Sequence, residues 1–163
     1  MSDLPRQLNQ LRARPSRAVL SIGGNDATAH IGLLEREATS AAQLFAELLA
    51  IADTFGRQYE ACARMVAQRA ERTLLCTIYE AQLEPVALAR LVRVPLAVLN
   101  DQILRVGARL GLDVLELRSV CTEPADFVQQ IEPSPQGAAK IAGAIAATVQ
   151  EGNGMTSGRV FAA

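Results

Sequence analysis

Apolar residues along this chain fall into two alternating patterns. In some segments they recur every three or four residues, which is the spacing of one face of an α-helix. In others they form short continuous runs, which are typical of strands buried on both faces of a sheet. The first pattern predicts helices over residues 3–13, 40–70, 84–111 and 137–149. The second predicts strands over RAVLSIGG (17–24), RTLLCTIY (72–79) and LDVLELRSV (112–120).

The alternation of helices and strands indicates an α/β fold with a parallel sheet and helices on both faces. Residues 1–150 are predicted to form a single domain, and the glycine-rich residues 151–163 a flexible C-terminal tail. Pro95 is expected to kink or split the helix over residues 84–111, and Gly111 to end it. Because the chain has three predicted strands and opens with a helix, either the domain is unusually small or its first strands are absent.

Composition and charge exclude several functional classes. The chain has 16 basic and 17 acidic residues, a net charge of −1, and no basic cluster that would bind nucleic acid. No apolar run is long enough for a membrane span, and the first residues are too polar for a signal peptide, which predicts a cytoplasmic chain. Cys62, Cys76 and Cys121 are too scattered for a disulfide framework or a zinc site, so we expect them in the core. We predict no cofactor and no metal.

Polar residues that follow the predicted strands are the candidates for function, because ligands of open α/β sheets bind beyond the carboxyl ends of the strands. The first of these loops begins Gly-Gly-Asn-Asp (23–26), and the third, CTEPADFVQQIEPSP (121–135), is predicted to be irregular. Glycine, asparagine and aspartate also make ordinary tight turns, so the first string is either a turn or the rim of an active site. If the first and third strands lie close together, four polar side chains converge on one cleft. They are Asn25, Asp26, Asp126 and Glu132.

Three stretches of the chain carry a family resemblance. They are RAVLSIGGNDA (17–27), VLNDQILRVGARLGLDVLELRSV (98–120) and IEPSPQGAAKIAGAI (131–145). Together they resemble the C-terminal portion of the SGNH (GDSL-type) ester hydrolase family. The resemblance implies a three-layer α/β/α, flavodoxin-like sheet and the hydrolysis of acyl or acetyl esters of small or carbohydrate substrates. It also implies that Asn25 donates a hydrogen bond to the oxyanion, that Gly23 opens the turn and that Asp26 braces the loop.

The sequence departs from the family pattern at the nucleophile. The serine of the family lies in a Gly-Asp-Ser block at the end of its first strand, and this chain contains no Gly-Asp-Ser. The resemblance therefore implies an N-terminally incomplete hydrolase domain whose full activity requires a serine from outside this chain. Ser134 is expected to be the N-cap of the last helix rather than a nucleophile, because serine directly before a helix is a common cap.

The residues available as a base also depart from the pattern. In the matching Pro-Ser-x-x-Gly block, Glu132 stands where the family usually has histidine, and Gln129 where it usually has aspartate. Three interpretations stay open. Glu132 acts as a carboxylate base if burial raises its pKa, or His30, the single histidine, pairs with Asp126. In the third, neither is catalytic and Glu132 braces the last helix.

These observations favour an ester hydrolase, incomplete as it stands, that takes a small ester substrate. The alternative is a non-catalytic, truncated or degenerate hydrolase domain that serves binding or assembly. A flavodoxin-like ligand-binding or receiver-type domain is a third hypothesis, but the chain has neither a phosphate loop nor an acidic cluster. Without its neighbour, the predicted strand 17–24 would expose an apolar edge, so we expect a homodimer or a complementing chain there.

Overall fold

The computed structural model describes residues 1–32, 40–151 and 158–162. The helices of this part of the chain are α1 (Leu4–Leu8), α2 (Gly24–Thr28), α3 (Ala41–Arg69), α4 (Val86–Leu110) and α5 (Pro135–Glu151). The strands are β1 (Arg17–Leu20), β2 (Arg72–Cys76), β3 (Asp113–Leu115), β4 (Phe127–Val128), β5 (Glu132–Pro133) and β6 (Val160–Phe161). Two 3-10 turns lie at Leu117–Ser119 and Pro124–Asp126. Within these ranges no helix combines the length and the apolar character needed to cross a membrane.

Four strands form one parallel sheet in the order β1-β2-β3-β6, which confirms the predicted α/β fold with a parallel sheet. The prediction of three strands was wrong, because Val160–Phe161, placed in the C-terminal tail by the sequence, pairs with β3. The amide of Val114 donates to the carbonyl of Arg159, and that of Glu116 to the carbonyl of Phe161. A two-residue strand is too short to show a period, which explains why the pattern missed it.

Helices cover both faces of the sheet, as the alternation predicted. On one face, α1, α3 and α4 pack on Leu20, Leu75 and Val114. On the other face, α5 packs through Ile141, Ala144 and Ile145 on apolar side chains of β2 and β3. The three cysteines are free and buried, as expected, and Cys76 lies in this second core, where burial raises its pKa to about 12.

The two long helices follow the predicted boundaries closely. Ser40 caps α3, because its hydroxyl oxygen accepts a hydrogen bond of 3.1 Å from the amide of Gln43. Helix α4 runs without interruption through Pro95, so the predicted split does not occur there. It ends as predicted at Gly111, whose φ of 64° lies in the left-handed region that glycine adopts easily.

The loop predicted to be irregular over residues 121–135 contains a small hairpin, in which β4 pairs antiparallel with β5. Gln129 and Gln130 form its tip with φ of 49° and 68°, a backbone conformation that few residues other than glycine adopt. Gln130 fastens the tip to the loop between β2 and α4: its carbonyl accepts from the amide of Gln82, and its side chain accepts from the amide of Glu84, both at 2.8 Å. This contact brings the hairpin beside the carboxyl end of β2.

Candidate functional site

A cavity of about 410 Å³ opens beyond the carboxyl ends of β1 and β2. Its walls are the loop after β1, the loop after β2, the N-terminal halves of α3 and α4, and Ile131 and Glu132 of the hairpin. Its volume lies in the range of small-molecule sites, and its place at the strand ends is where open α/β sheets bind ligands.

The Gly-Gly-Asn-Asp string is both a turn and a rim of this cavity. Gly23 has a φ of 110°, a backbone conformation that is strained for any residue with a side chain. The carbonyl of Gly23 accepts a 2.9 Å hydrogen bond from the amide of Ala27, and this bond starts α2. A Cβ atom on Gly23 would also lie 3.0 Å from the ring of Phe55 and 3.3 Å from Ile78. The chain therefore leaves β1, turns sharply at Gly23, and presents the first turn of α2 to the cavity.

Asn25 and Asp26 both line the cavity from that turn. The side-chain amide of Asn25 is exposed and makes no hydrogen bond to any residue that the structure describes, so it is free to donate to a ligand. The backbone carbonyl of Asn25 accepts from the hydroxyl of Thr28 at 3.0 Å, which fixes the turn from within. Oδ2 of Asp26 lies 3.4 Å from the amino group of Met1.

His30 and Glu132 line the same cavity, so the structure brings them together with Gly23 and Asn25. Neither the imidazole of His30 nor the carboxylate of Glu132 has a hydrogen-bond partner among the described residues. Tyr79, which the sequence analysis did not select, also lines the cavity. Burial raises the pKa of Tyr79, and the negative charge of Glu132 raises it further.

The structure does not bring Asp126 to the cavity. Asp126 is fully buried below the hairpin, where Oδ2 accepts from the amides of Thr122 and Glu123, both at 3.0 Å. Its other contacts are with α5: Nζ of Lys140 lies 2.8 Å from Oδ1, and Nε2 of Gln136 donates to the same oxygen at 3.0 Å. The predicted pairing of Asp126 with His30 is therefore wrong, because the described contacts of this carboxylate are with its own loop and with α5.

Asp126 also predicts how stability depends on pH. The hydrogen bond from Lys140, with smaller contributions from the amide of Glu123 and from Gln136, lowers the pKa of Asp126 from 3.8 to about 2 and outweighs the opposing effect of burial. Because the pKa of Asp126 is lower in the folded state than in the unfolded state, its ionised carboxylate stabilises the fold at pH values above the unfolded-state pKa. This contribution is lost as the pH falls from about 4 to about 2. Urea unfolding should show a steeper loss of stability over this window in the wild type than in Asp126→Asn. Parallel pH curves for the two proteins would contradict the assignment.

Ser134 is the N-cap of α5, as the sequence predicted. Its hydroxyl donates to the carbonyl of Ala125 at 2.6 Å and accepts from the amide of Gly137 at 3.1 Å. Ser134 is buried and does not line the cavity, and Gln129 lies at the hairpin tip outside the cavity wall. Neither residue is placed for chemistry at this site.

Two polar groups that support the cavity were missed by the sequence analysis. Asn100 on α4 is fully buried; its side chain donates to the carbonyl of Ile78 and accepts from the amide of Ile78, both at 2.8 Å. The hydroxyl of Thr77 donates to Glu116 at 2.7 Å, which joins the ends of β2 and β3. Burial acts to raise the pKa of Glu116, but hydrogen bonds from Arg118 and Thr77 outweigh it and lower that pKa. The sequence feature that could have identified Asn100 is its position as a single asparagine on the otherwise apolar buried face of α4.

Among the residues that the structure describes, no three histidine, cysteine, aspartate or glutamate side chains are grouped as a metal site would require. Comparisons of the chain with protein-family models, with curated proteins and with solved structures find no match.

Proposed function

We propose that this cavity is the ester-binding site of an SGNH (GDSL-type) hydrolase domain with a flavodoxin-like sheet, and that Asn25 is its oxyanion donor. One observation carries the proposal: the amide of Asn25, unpaired among the described residues, lines a largely apolar cavity from a turn that Gly23 fixes. The resemblance of residues 17–27 to the family assigns the same role to the same side chain.

The chemistry of ester hydrolysis explains why an amide suits this position. Attack on an ester carbonyl places a negative charge on its oxygen, and a fixed neutral donor stabilises that charge by about 3 kcal/mol in a site that excludes water. An asparagine NH₂ group supplies a directed hydrogen bond without a charge of its own. The left-handed turn at Gly23 holds the backbone of α2 in place, with Asn25 at the edge of the cavity.

Glu132 and His30 are the candidates for the base, because both line the cavity beside Asn25. In the proposed reaction the base takes the proton of a serine hydroxyl as the serine oxygen attacks the ester carbonyl. That serine would come from a segment or chain outside these residues. The absence of a Gly-Asp-Ser block, together with the burial of Asp126, favours a second candidate function, a degenerate domain that binds esters without hydrolysing them.

Substitution of Asn25 tests the proposal without requiring turnover. Monomethyl octylphosphonate is a tetrahedral monoanion that mimics the charged intermediate. We expect Asn25→Ala to weaken its binding about tenfold or more, because a hydrogen bond to a charged group contributes about 1.5–3 kcal/mol. Binding of the neutral ester methyl octanoate should change by less than about threefold, since neutral hydrogen bonds contribute less. The measurement is titration of the full chain followed by NMR.

The matched control is Gln58→Ala, which removes an exposed amide of α3 that does not line the cavity. This variant should bind both compounds as the wild type does. Equal affinities of the wild type and Asn25→Ala for the phosphonate would remove Asn25 from the proposed role.

We also propose that the free edge of β1 is completed by a second copy of the chain or by a complementing chain. Within the described residues β1 pairs only with β2. Val19 is in register with Leu74, on the face that α5 covers, yet its side chain is 41% exposed. An apolar strand that has an unpaired edge, and a side chain left partly exposed on its face, favours pairing with another strand.

A lysine at the β1 edge should abolish this association. We expect the wild type to elute as a dimer or a larger complex, and Val19→Lys as a monomer, because a charge at an edge strand opposes pairing. Val160→Lys is the matched control, since Val160 is 61% exposed on β6 at the opposite edge of the same sheet. Size-exclusion chromatography with light scattering measures the mass. A monomeric wild type with a cooperative melt would refute the proposed pairing.

A further inference from the structure

The two sides of the cavity differ in chemistry. The loop over residues 21–30 supplies polar groups, among them Ser21, Asn25 and His30. Helices α3 and α4 supply an aliphatic wall. Its side chains are Leu48, Ile51, Val92, Leu96 and Leu99. A site built this way matches a ligand that is polar at one end and aliphatic along the rest of its length.

The wall also discriminates between the kinds of ester that the family resemblance left open. A sugar ring carries several hydroxyl groups, and each costs free energy when it leaves water without gaining a hydrogen-bond partner. The residues that α3 and α4 contribute to the cavity offer no polar side chain to such hydroxyls. A straight aliphatic chain has no such groups and gains from contact with the wall, by about 0.8 kcal/mol for each buried methylene.

We infer that the cavity binds the straight aliphatic acyl group of an ester, rather than an acetylated carbohydrate. The inference rests on the proposed function for the ester end of the ligand, where Asn25 lies. The acyl chain extends from that end along the wall formed by α3 and α4.

The test is a titration of the full chain, followed by NMR, with methyl acetate, methyl butanoate, methyl hexanoate and methyl octanoate. We expect affinity to rise by up to about fourfold per added methylene, which is the methylene free energy expressed as a binding ratio. The comparison ligand is 6-O-acetylglucose, which should bind no more tightly than methyl acetate. Affinity that does not change from methyl acetate to methyl octanoate, or tighter binding of 6-O-acetylglucose than of methyl octanoate, would overturn the inference.

Matched pairs of variants locate the acyl chain on the two helices. Val92 and Leu48 line the cavity, whereas Val94 and Leu49 on the same helices are each 59% exposed and do not line it. Val92→Asn and Leu48→Asn should weaken methyl octanoate binding at least about fivefold, because each replaces an aliphatic contact with a polar group. Val94→Asn and Leu49→Asn should bind as the wild type does. Circular dichroism checks the fold of each variant. If the lining variant of one helix does not fold, the lining and control variants of the other helix still test the placement.

Equal effects of lining and control variants would overturn the placement of the acyl chain. A failure of the proposed function has a different signature. If Asn25→Ala leaves phosphonate binding unchanged while the affinity for methyl esters still rises with acyl chain length, the acyl-binding cavity is supported and the oxyanion role of Asn25 is refuted.

Discussion

Replacing Gly137 with alanine is expected to destabilise the fold by about 3 kcal/mol or more, at the upper end of the cost of overpacking. Gly137 lies in the first turn of α5, where the helix meets the turn that holds Asp126. A Cβ atom on Gly137 would overlap the carbonyl oxygen of Asp126 and would also crowd two further backbone atoms of that residue. That oxygen also accepts a 2.8 Å hydrogen bond from the amide of Ser134, and this bond opposes a shift of the oxygen away from the added methyl group.

Gly143→Ala on the same helix is the matched control. Nothing lies within 4 Å of a Cβ atom at Gly143, so alanine there should stabilise the protein by up to about 1 kcal/mol through its higher helix propensity. Urea denaturation of both variants measures the difference. Similar midpoints for the two variants would show that α5 does not approach the Asp126 turn as closely as described.

Asn100→Ala is expected to destabilise the protein by about 2 kcal/mol or more, since it leaves the amide and the carbonyl of Ile78 without their partners. Both hydrogen bonds measure 2.8 Å, and Asn100 is fully buried in α4. The substitution should also loosen the cavity, because Ile78 lines it and lies against Gly23. Urea denaturation reports the loss of stability, and the NMR signals of residues 77–79 report the displacement of the loop.

Gln102→Ala provides the comparison for Asn100→Ala. Gln102 is another amide of α4, two residues further on, but its side chain makes no hydrogen bond to a described residue. Its removal should change stability by less than about 1 kcal/mol. Comparable losses from Asn100→Ala and Gln102→Ala would mean that the contact of Asn100 with Ile78 carries little energy.

Long elements were predictable from the sequence because their period is repeated many times. Helix α3 buries Phe55, Tyr59, Cys62 and Val66, all of them on the predicted apolar face. Leu48, earlier on the same face, is only half-buried because it faces the cavity instead of the core. The period of a helix thus identifies its inner face, but not whether that face meets a core or a cavity.

Short elements and long-range polar contacts were not predictable in the same way. Strand β6 has two residues and is defined by its pairing with the distant β3, and the two-residue strands β4 and β5 are defined only by their pairing with each other. The role of Asp126 depends on Lys140, fourteen residues away and on another element, so no local pattern distinguishes it from a catalytic carboxylate. By contrast, the turn at Gly23 was predictable, because its geometry depends on neighbouring residues.

The side-chain NH₂ signal of Asn25 reports most directly on the proposed contact between Asn25 and a developing negative charge. In a titration of the ¹⁵N-labelled full chain with monomethyl octylphosphonate, a hydrogen bond to the anion should shift this signal downfield. This signal should shift more than any other side-chain amide signal, and it should saturate at the same ligand concentration as the signals of Val92. Saturable binding that leaves the Asn25 NH₂ signal unmoved would contradict the proposed oxyanion role of Asn25.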